Sequence, residues 1–310
     1  MPHDPEGASA RAQLPPSPGS PAAIEIQNRF AELLDRDPQA VLESTRDRGG
    51  HVVLNADDLF KRWPEYASNS HARRWLGPLL YPVARKFIDR LYAELLGTTP
   101  ITGNTVVFTA GGGASGKSTV LRAQADRPEV DFVVDTTLSD PQRAIDQIET
   151  ALRAGRQVEV NYVYRDFEDA VRGMIKRALD PKVGRIVPID DLARTHFGAQ
   201  RTIFAILQRY EEEPRIAIRL WKSLPGSKVD GLTVQALLAR LLPDIDELQK
   251  RGQNVLDETF AEAIQSPTGQ WGSLCGERSF YEAARSKAQE GLRHPRPLDH
   301  RGDEKSRRGS

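Results

Sequence analysis

Residues 105–121 read TVVFTAGGGASGKSTVL, in which an apolar run enters a glycine-rich turn and then a segment able to form a helix. Gly111 to Ser118 match the pattern G-x-x-x-x-G-K-[ST] at every defined position. Glycines let a backbone wrap around an anion without Cβ clashes, and the start of the next helix adds partial positive charge at the same place. The stretch therefore predicts a strand, a phosphate-binding loop and a helix, rather than a flexible loop before an ordinary helix.

The loop pattern also predicts roles for individual residues. We expect the Lys117 ammonium to reach the β- and γ-phosphates of ATP, and the Ser118 hydroxyl to hold Mg²⁺. Backbone N–H groups of the loop would point at the phosphate oxygens. The predicted ATP-binding residues of the loop are Gly111, Gly112, Gly113, Ala114, Ser115, Gly116, Lys117, Ser118 and Thr119.

Composition limits the classes of partner. The 310-residue chain has 43 Lys and Arg against 43 Asp and Glu, so its net charge is zero. This balance argues against nucleic acid or an acidic membrane as a partner. The sequence has a single cysteine, Cys275, and no secretory pattern near its start. No apolar run approaches the roughly 18–20 residues that span a bilayer, so we expect a soluble cytoplasmic protein.

Further apolar runs alternate with helical patterns before and after the loop. Strands separated by helices predict βαβ units, and hence a P-loop NTPase-like α/β fold with a mainly parallel sheet flanked by helices. Right-handed crossovers place the carboxyl ends of parallel strands on one edge of the sheet. The additional strand candidates are His51–Leu54, Val130–Thr137, Val158–Tyr164 and Arg215–Trp221.

Changes in composition divide the chain into four segments. Both ends are rich in residues that cannot form a core, and we expect them to be disordered. The predicted segments are a proline-rich tail over residues 1–23, a P-loop α/β domain over 24–228, a helical extension over 229–290 and a charged tail over 291–310.

Apolar spacing predicts several helices outside the strand–helix alternation. A proline inside a helix removes a backbone hydrogen bond, so Pro82 is expected to divide one of them into two pieces. These helices are expected at Ile24–Leu34, at Leu76–Leu96 and around Leu232–Leu242.

Acidic residues follow two of the predicted strands. Asp57 and Asp58 come after His51–Leu54, and Asp135 ends the strand after the phosphate loop. Open α/β sheets bind their ligands at the carboxyl ends of strands. The alternative for Asp57 or Asp58 is a capping role on the short helix that follows. Because these carboxylates and the phosphate loop fall on one predicted edge, a functional role is favoured, with Asp135 as a candidate ligand of Mg²⁺.

Three arginines follow the last strand of this edge. Arg172 and Arg177 lie in a predicted helix, and Arg185 lies in the segment that leaves it. Transfer of a phosphoryl group needs positive charge on the transferring group, which a lid carrying arginines would supply. The alternative for any single arginine is an ordinary solvated surface charge.

These motifs together resemble the zeta-toxin type of P-loop kinase over about residues 50–222. The resemblance rests on the phosphate loop, Asp135-Thr136, the Arg172 helix with Gly184-Arg185-Ile186-Val187-Pro188, and Leu54-Asn55-Ala56-Asp57-Asp58-Leu59 with Trp63-Pro64-Glu65-Tyr66. It implies an ATP- and Mg²⁺-dependent kinase with a catalytic base at Asp57 or Asp58, and with Arg172 and Arg185 on ATP. It also implies a small-molecule acceptor with a free hydroxyl, such as UDP-N-acetylglucosamine, and an antitoxin protein as a candidate partner.

The order of the motifs departs from that family. In zeta toxins the acidic strand follows the phosphate loop, whereas here it precedes the loop. Asp135 is therefore a competitor for the role of base. A different function class is also compatible with the loop, namely an ATP-binding or ATPase module that regulates a protein partner. A nucleic-acid-dependent NTPase is disfavoured by the balanced charge.

Overall fold

A computed structural model describes residues 16–17, 19–47, 50–68, 70–100, 103–123, 127–179, 187–224, 226 and 228–265. Within these residues, one sheet of six strands forms the centre of the molecule. The strands are β1 (Val52–Leu54), β2 (Thr105–Ala110), β3 (Val130–Asp135), β4 (Gln157–Tyr164), β5 (Ile216–Leu224) and β6 (Lys228–Gly231).

The strand that leads into the glycine loop lies inside the sheet. The spatial order is β1-β3-β2-β4-β5-β6, and the first five strands are parallel while β6 pairs antiparallel with β5. Every residue of β2 is buried, as expected for a parallel strand covered on both faces. The predicted mainly parallel α/β fold is confirmed.

Helices cover both faces of this sheet. On one face, the Tyr92 ring packs against the rings of Phe108 and Phe132 on two neighbouring strands. The helices are α1 (Pro21–Asp35), α2 (Pro38–Ser44), α3 (Ala56–Leu59), α4 (Pro64–Ser68), α5 (Ser70–Gly97), α6 (Lys117–Ala123), α7 (Pro141–Arg153), α8 (Phe167–Leu179), α9 (Ile189–Arg209), α10 (Val234–Leu238) and α11 (Ile245–Gln265).

The N-terminal half differs from the sequence prediction at two points. Helix α1 begins at Pro21, inside the predicted tail, because the Ser20 hydroxyl accepts a hydrogen bond from the Ala23 N–H and caps the helix. Helix α5 runs without interruption through Pro78 and Pro82. Both prolines are exposed, while many of the apolar side chains around them are buried in the core, so packing maintains the helix despite the lost backbone bonds.

The C-terminal half also differs. The helix predicted around Leu232–Leu242 is reduced to α10, because the Gln200 side chain bonds the backbone of Arg240 and Leu242 and holds the chain in a loop there. Helix α9 was not predicted, although its buried positions recur at helical spacing. Helix α11 packs on α8 and α9, and β6 pairs with β5, so the described part of residues 229–290 is joined to the α/β core.

Several predictions fall outside the described residues: the tail over residues 1–15, Cys275, Arg185 and the charged tail over 291–310. Among the helices that are described, none combines the length and the apolar character needed to cross a membrane.

Candidate active site

The carboxyl ends of β1, β2 and β3 open into one pocket of about 710 Å³. The glycine loop after β2 forms one wall, and the segment after β1 forms another. Asp57 and Asp58 therefore line the same pocket as Lys117, Ser118 and Asp135. The remaining lining residues are Asn55, Lys61, Tyr66, Ala67, Arg73, Gly113, Ala114, Ser115, Gly116, Thr137, Met174, Arg177, Val187 and Leu192.

The backbone of the loop has the conformation that an anion site needs. Gly111 and Gly116 have φ values of +133° and +100°, where side chains are rarely accepted. A Cβ on Gly111 would also lie 2.5 Å from the Val163 carbonyl oxygen. Ala114 adopts a left-handed φ of +57° without being a glycine. Such turns bring successive N–H groups to one side, where they form a concave anion site.

Lys117, the first residue of α6, holds its ammonium group against the carbonyl side of the loop backbone. Lys117 Nζ donates to the carbonyl oxygens of Gly111, at 3.0 Å, and Gly112, at 3.1 Å. These bonds fold the side chain back over the loop, where it would face phosphate oxygens held by the loop amides. A cation at this position and the N-terminus of α6 both favour an anionic ligand.

Asp135 lies at the end of β3 and accepts hydrogen bonds from two side chains, one on β2 and one directly after β1. Thr109 Oγ1 donates to its Oδ1 at 2.6 Å, and Asn55 Nδ2 donates to its Oδ2 at 2.7 Å. Burial raises the pKa of Asp135, the Lys117 charge and the Thr109 bond oppose this, and the charges of Asp57 and Asp58 add to it. The charges of Asp57 and Asp58 therefore act on the Asp135 carboxyl group.

Asp57 and Asp58 lie in the first turn of α3, but neither is its cap. Asn55 is the N-cap, because its Oδ1 accepts from the Asp57 N–H at 2.8 Å. Asp58 pairs with exposed Lys61 at 2.5 Å. The alternative interpretation of these carboxylates as capping groups is therefore wrong, and both face the pocket. The sequence predicted no role for Asn55. Its side chain links the α3 turn to Asp135, because it bonds both the Asp57 N–H and the Asp135 carboxylate.

The predicted arginines differ in their position relative to the pocket. Arg177 lines the pocket. Arg172 is half-exposed, forms an ion pair with Asp169 at 3.4 Å and is not among the lining residues. Arg185 lies outside the described residues. Arg165, at the end of β4, was not predicted; its Nη1 donates to the Ala114 carbonyl at 2.9 Å, and burial lowers its pKa.

The donor set at the edge fits Mg²⁺. Hard cations take oxygen ligands, and Mg²⁺ in nucleotide sites is usually held by one or two protein groups together with substrate phosphates. The Ser118 hydroxyl and the Asp135 carboxylate both face the pocket beside the loop. One hydroxyl and one carboxylate would complete such a site once phosphates are bound.

The zeta toxin family model matches residues 124–219 of this chain. The match confirms the family resemblance over that segment, which includes Asp135 and Arg172. The phosphate loop and the Asp57–Asp58 turn precede the matched residues. No match was found among curated proteins.

Three solved structures show weak likeness. A crystal structure of AvrRxo1-ORF1:-ORF2 with ATP shares 16% identity at a TM-score of 0.42, over 74% of this chain and 93% of that chain. A native AvrRxo1-ORF1:-ORF2 complex shares 15% identity at 0.40, over 68% and 88%. A structure from the PezAT chromosomal toxin–antitoxin system of Streptococcus pneumoniae shares 12% identity at 0.36, over 73% and 80%.

Proposed function

Residues 124–219 match the zeta toxin family model. We propose that this protein is an ATP-dependent kinase that transfers the γ-phosphoryl group to a hydroxyl of a small molecule. The observation that carries the proposal is the shared pocket, which is lined both by Asp57 and Asp58 and by the phosphate loop. A phosphate site alone would serve any NTPase. Transfer to a hydroxyl also requires a carboxylate in the same pocket, because a base must accept the hydroxyl proton.

The loop residues bind and orient the nucleotide. Loop amides and Lys117 hold the β- and γ-phosphates, while Ser118 and Asp135 would hold Mg²⁺, which neutralises charge that develops on the phosphates. Arg177, which lines the same pocket, supplies further positive charge. A contribution of Arg172 requires a movement of α8 or release of its pair with Asp169, and Arg185 would act from the segment after α8.

Asp57 or Asp58 accepts the proton of the acceptor. The acceptor oxygen forms a bond to the γ-phosphorus as the bond from that phosphorus to the bridging oxygen breaks. ADP leaves, and the hydroxyl proton passes to the carboxylate. Asp135 is less suited to this step, because two side chains already donate to its oxygens.

The acceptor would lie against the wall formed after β1. Tyr66 and Arg73 line this part of the pocket together with Lys61. The Arg73 guanidinium donates to the Tyr66 carbonyl and lies 6.0 Å from the centre of the Tyr66 ring. An aromatic ring beside cations suits an acceptor that carries both a ring and negative charge, such as a nucleotide sugar. An antitoxin protein is the partner that the family resemblance adds to this proposal.

The test compares Asp57→Asn and Asp58→Asn, with Asp246→Asn on the exposed surface of α11 as the control. γ-Labelled ATP is incubated with a metabolite extract and, separately, with UDP-N-acetylglucosamine. We expect transfer to a small molecule to fall by 10²–10⁴-fold in the variant that lacks the base, with ATP affinity unchanged. Full transfer by both variants would refute the base assignment. Label found only as free phosphate would favour the regulatory ATPase.

A further inference from the structure

Two side chains of helix α9 contact the phosphate loop, one at the carbonyl group and one at the N–H group of Gly113. His196 Nε2 lies 2.8 Å from the Gly113 carbonyl oxygen, and the Gly113 N–H donates to Thr195 Oγ1 at 3.3 Å. Thr195 Oγ1 is itself fixed, because it donates to the Leu192 carbonyl at 3.0 Å. Neither side chain belongs to the loop pattern.

We propose that His196 and Thr195 are positioning residues that hold the phosphate loop in the shape that binds the triphosphate. The inference rests on the proposed role of the loop in ATP binding. It concerns how the loop is shaped, and it does not depend on which acceptor receives the phosphoryl group.

The physical reason lies in the planar trans peptide unit. The C=O of one residue and the N–H of the next point in opposite directions across that unit. When His196 holds the Gly113 C=O toward α9, the Ala114 N–H is turned the other way. Ala114 then takes its left-handed φ of +57°, and Arg165 bonds its carbonyl oxygen at 2.9 Å. Backbone donors turned in this way form an anion site.

The histidine is held too firmly to be an incidental contact. It is 4% exposed, and its ring stands edge-on to the Phe167 ring with centroids 5.4 Å apart. Because a carbonyl can only accept, Nε2 must carry the hydrogen. Burial lowers the pKa of His196 to about 4, so the ring is neutral at pH 7 and offers this one N–H donor.

Helix α9 also explains two glycines of the loop. A Cβ on Gly112 would overlap the His196 ring, and a Cβ on Gly113 would lie 2.8 Å from Leu192 Cδ1. Neither glycine has a positive φ that would demand it. The loop therefore lacks side chains at these positions so that α9 can approach its backbone.

The test measures nucleotide affinity in matched variants. His196→Leu removes the donor, and His196→Gln keeps an N–H donor at similar reach. Titration with a fluorescent ATP analogue and Mg²⁺ gives Kd, and thermal unfolding without nucleotide reports folding. We expect His196→Leu to weaken binding about tenfold, since it leaves a buried carbonyl without its partner, and His196→Gln to stay within about threefold.

A second pair covers the case in which His196→Leu does not fold. Thr195→Val removes the acceptor for the Gly113 N–H with little change in shape, and Thr195→Ser keeps it. We expect weaker binding in Thr195→Val alone. Equal affinity of the two members in every pair that folds would overturn the proposal. Failure of the kinase proposal would appear differently, as normal ATP binding without any phosphorylated product.

Discussion

Lys117 is the residue whose positive charge is expected to contact the bound triphosphate most directly. At rest its ammonium bonds two loop carbonyls, and a bound triphosphate would offer it stronger, charged partners. We predict that Lys117→Ala lowers Mg·ATP affinity by roughly 10- to 100-fold, the range expected for one charge-assisted bond. Lys86→Ala, at an exposed position of α5, is the control. The measurement is titration with the fluorescent analogue, and equal affinities in the two variants would contradict the role.

His196 should also make folding depend on pH. Its folded-state pKa of about 4 lies below the unfolded value of 6.5, so the unfolded chain takes up this proton first as pH falls. The corresponding stability is present above pH 6.5 and is lost as pH falls toward 4. Between pH 7 and 5 this one residue should reduce the free energy of unfolding by about 2 kcal/mol.

The measurement is urea denaturation of the wild type and His196→Gln at both pH values. Glutamine does not titrate, so the variant should lose about 2 kcal/mol less than the wild type over this range. An identical loss in both proteins would show that His196 is not the titrating group.

At the scale of single elements, the short helix α3 carries the proposed base, and its geometry depends on Asn55. The Asn55 side chain caps α3 and also bonds Asp135 on β3. We predict that Asn55→Ala destabilises the protein by about 1 kcal/mol through loss of the cap. It should also reduce phosphoryl transfer, because Asp135 loses a hydrogen-bond donor and the turn that carries Asp57 and Asp58 loses its cap.

Thr233→Ala is the matched control for this prediction. Thr233 caps α10 in the same way, through the Ala236 N–H at 3.1 Å, but it does not line the pocket. Denaturation should show a similar cost for both variants, and the transfer assay should show a loss only for Asn55→Ala. Equal transfer rates would show that Asn55 supports only the helix.

Prediction from sequence worked well for elements whose signals are local. Asp140 followed by Pro141 is a local pattern typical of a helix start, and in the structure Asp140 Oδ1 accepts a hydrogen bond from the Arg143 N–H and caps α7. The continuity of α5 through Pro82 was not predictable, because it depends on packing against other elements, chiefly α1, α3 and α4. Helix α9 has no glycine or asparagine at its end, and Pro188 at its start makes no side-chain cap. Its apolar spacing was the signal that could have found it.

At the scale of the whole molecule, the N-terminal segment completes the sheet. β1 precedes β2 in the chain, yet it pairs with β3 and lies two strands away from β2. A parallel strand in that position brings its carboxyl end to the common edge whatever its place in the chain order. The acidic turn therefore lines the pocket even though it precedes the phosphate loop in the chain, the reverse of the order in zeta toxins.

The same organisation predicts that the chain from residue 103 onward, which contains the matched residues 124–219, cannot fold alone. A chain that starts at residue 103 would lack β1 and α1–α5, and would expose the Phe108 and Phe132 faces that pack on Tyr92. We expect it to show no cooperative thermal transition, because one hydrophobic core includes residues from both sides of that cut. Circular dichroism on heating, beside the full chain, is the measurement. A cooperative transition together with ATP binding would contradict it.

The sequence alone determined the phosphate loop and the α/β class, because glycine spacing, Lys117-Ser118 and the alternation of strands with helices are local patterns. It did not decide whether Asp57 and Asp58 cap a helix or line the pocket beside the phosphate loop. Only the tertiary structure decided that, by placing β1 beside β3 and giving the cap to Asn55. It also brought His196, far along the chain, onto Gly113. Contacts of this kind arise from packing between distant segments, for which no local pattern exists.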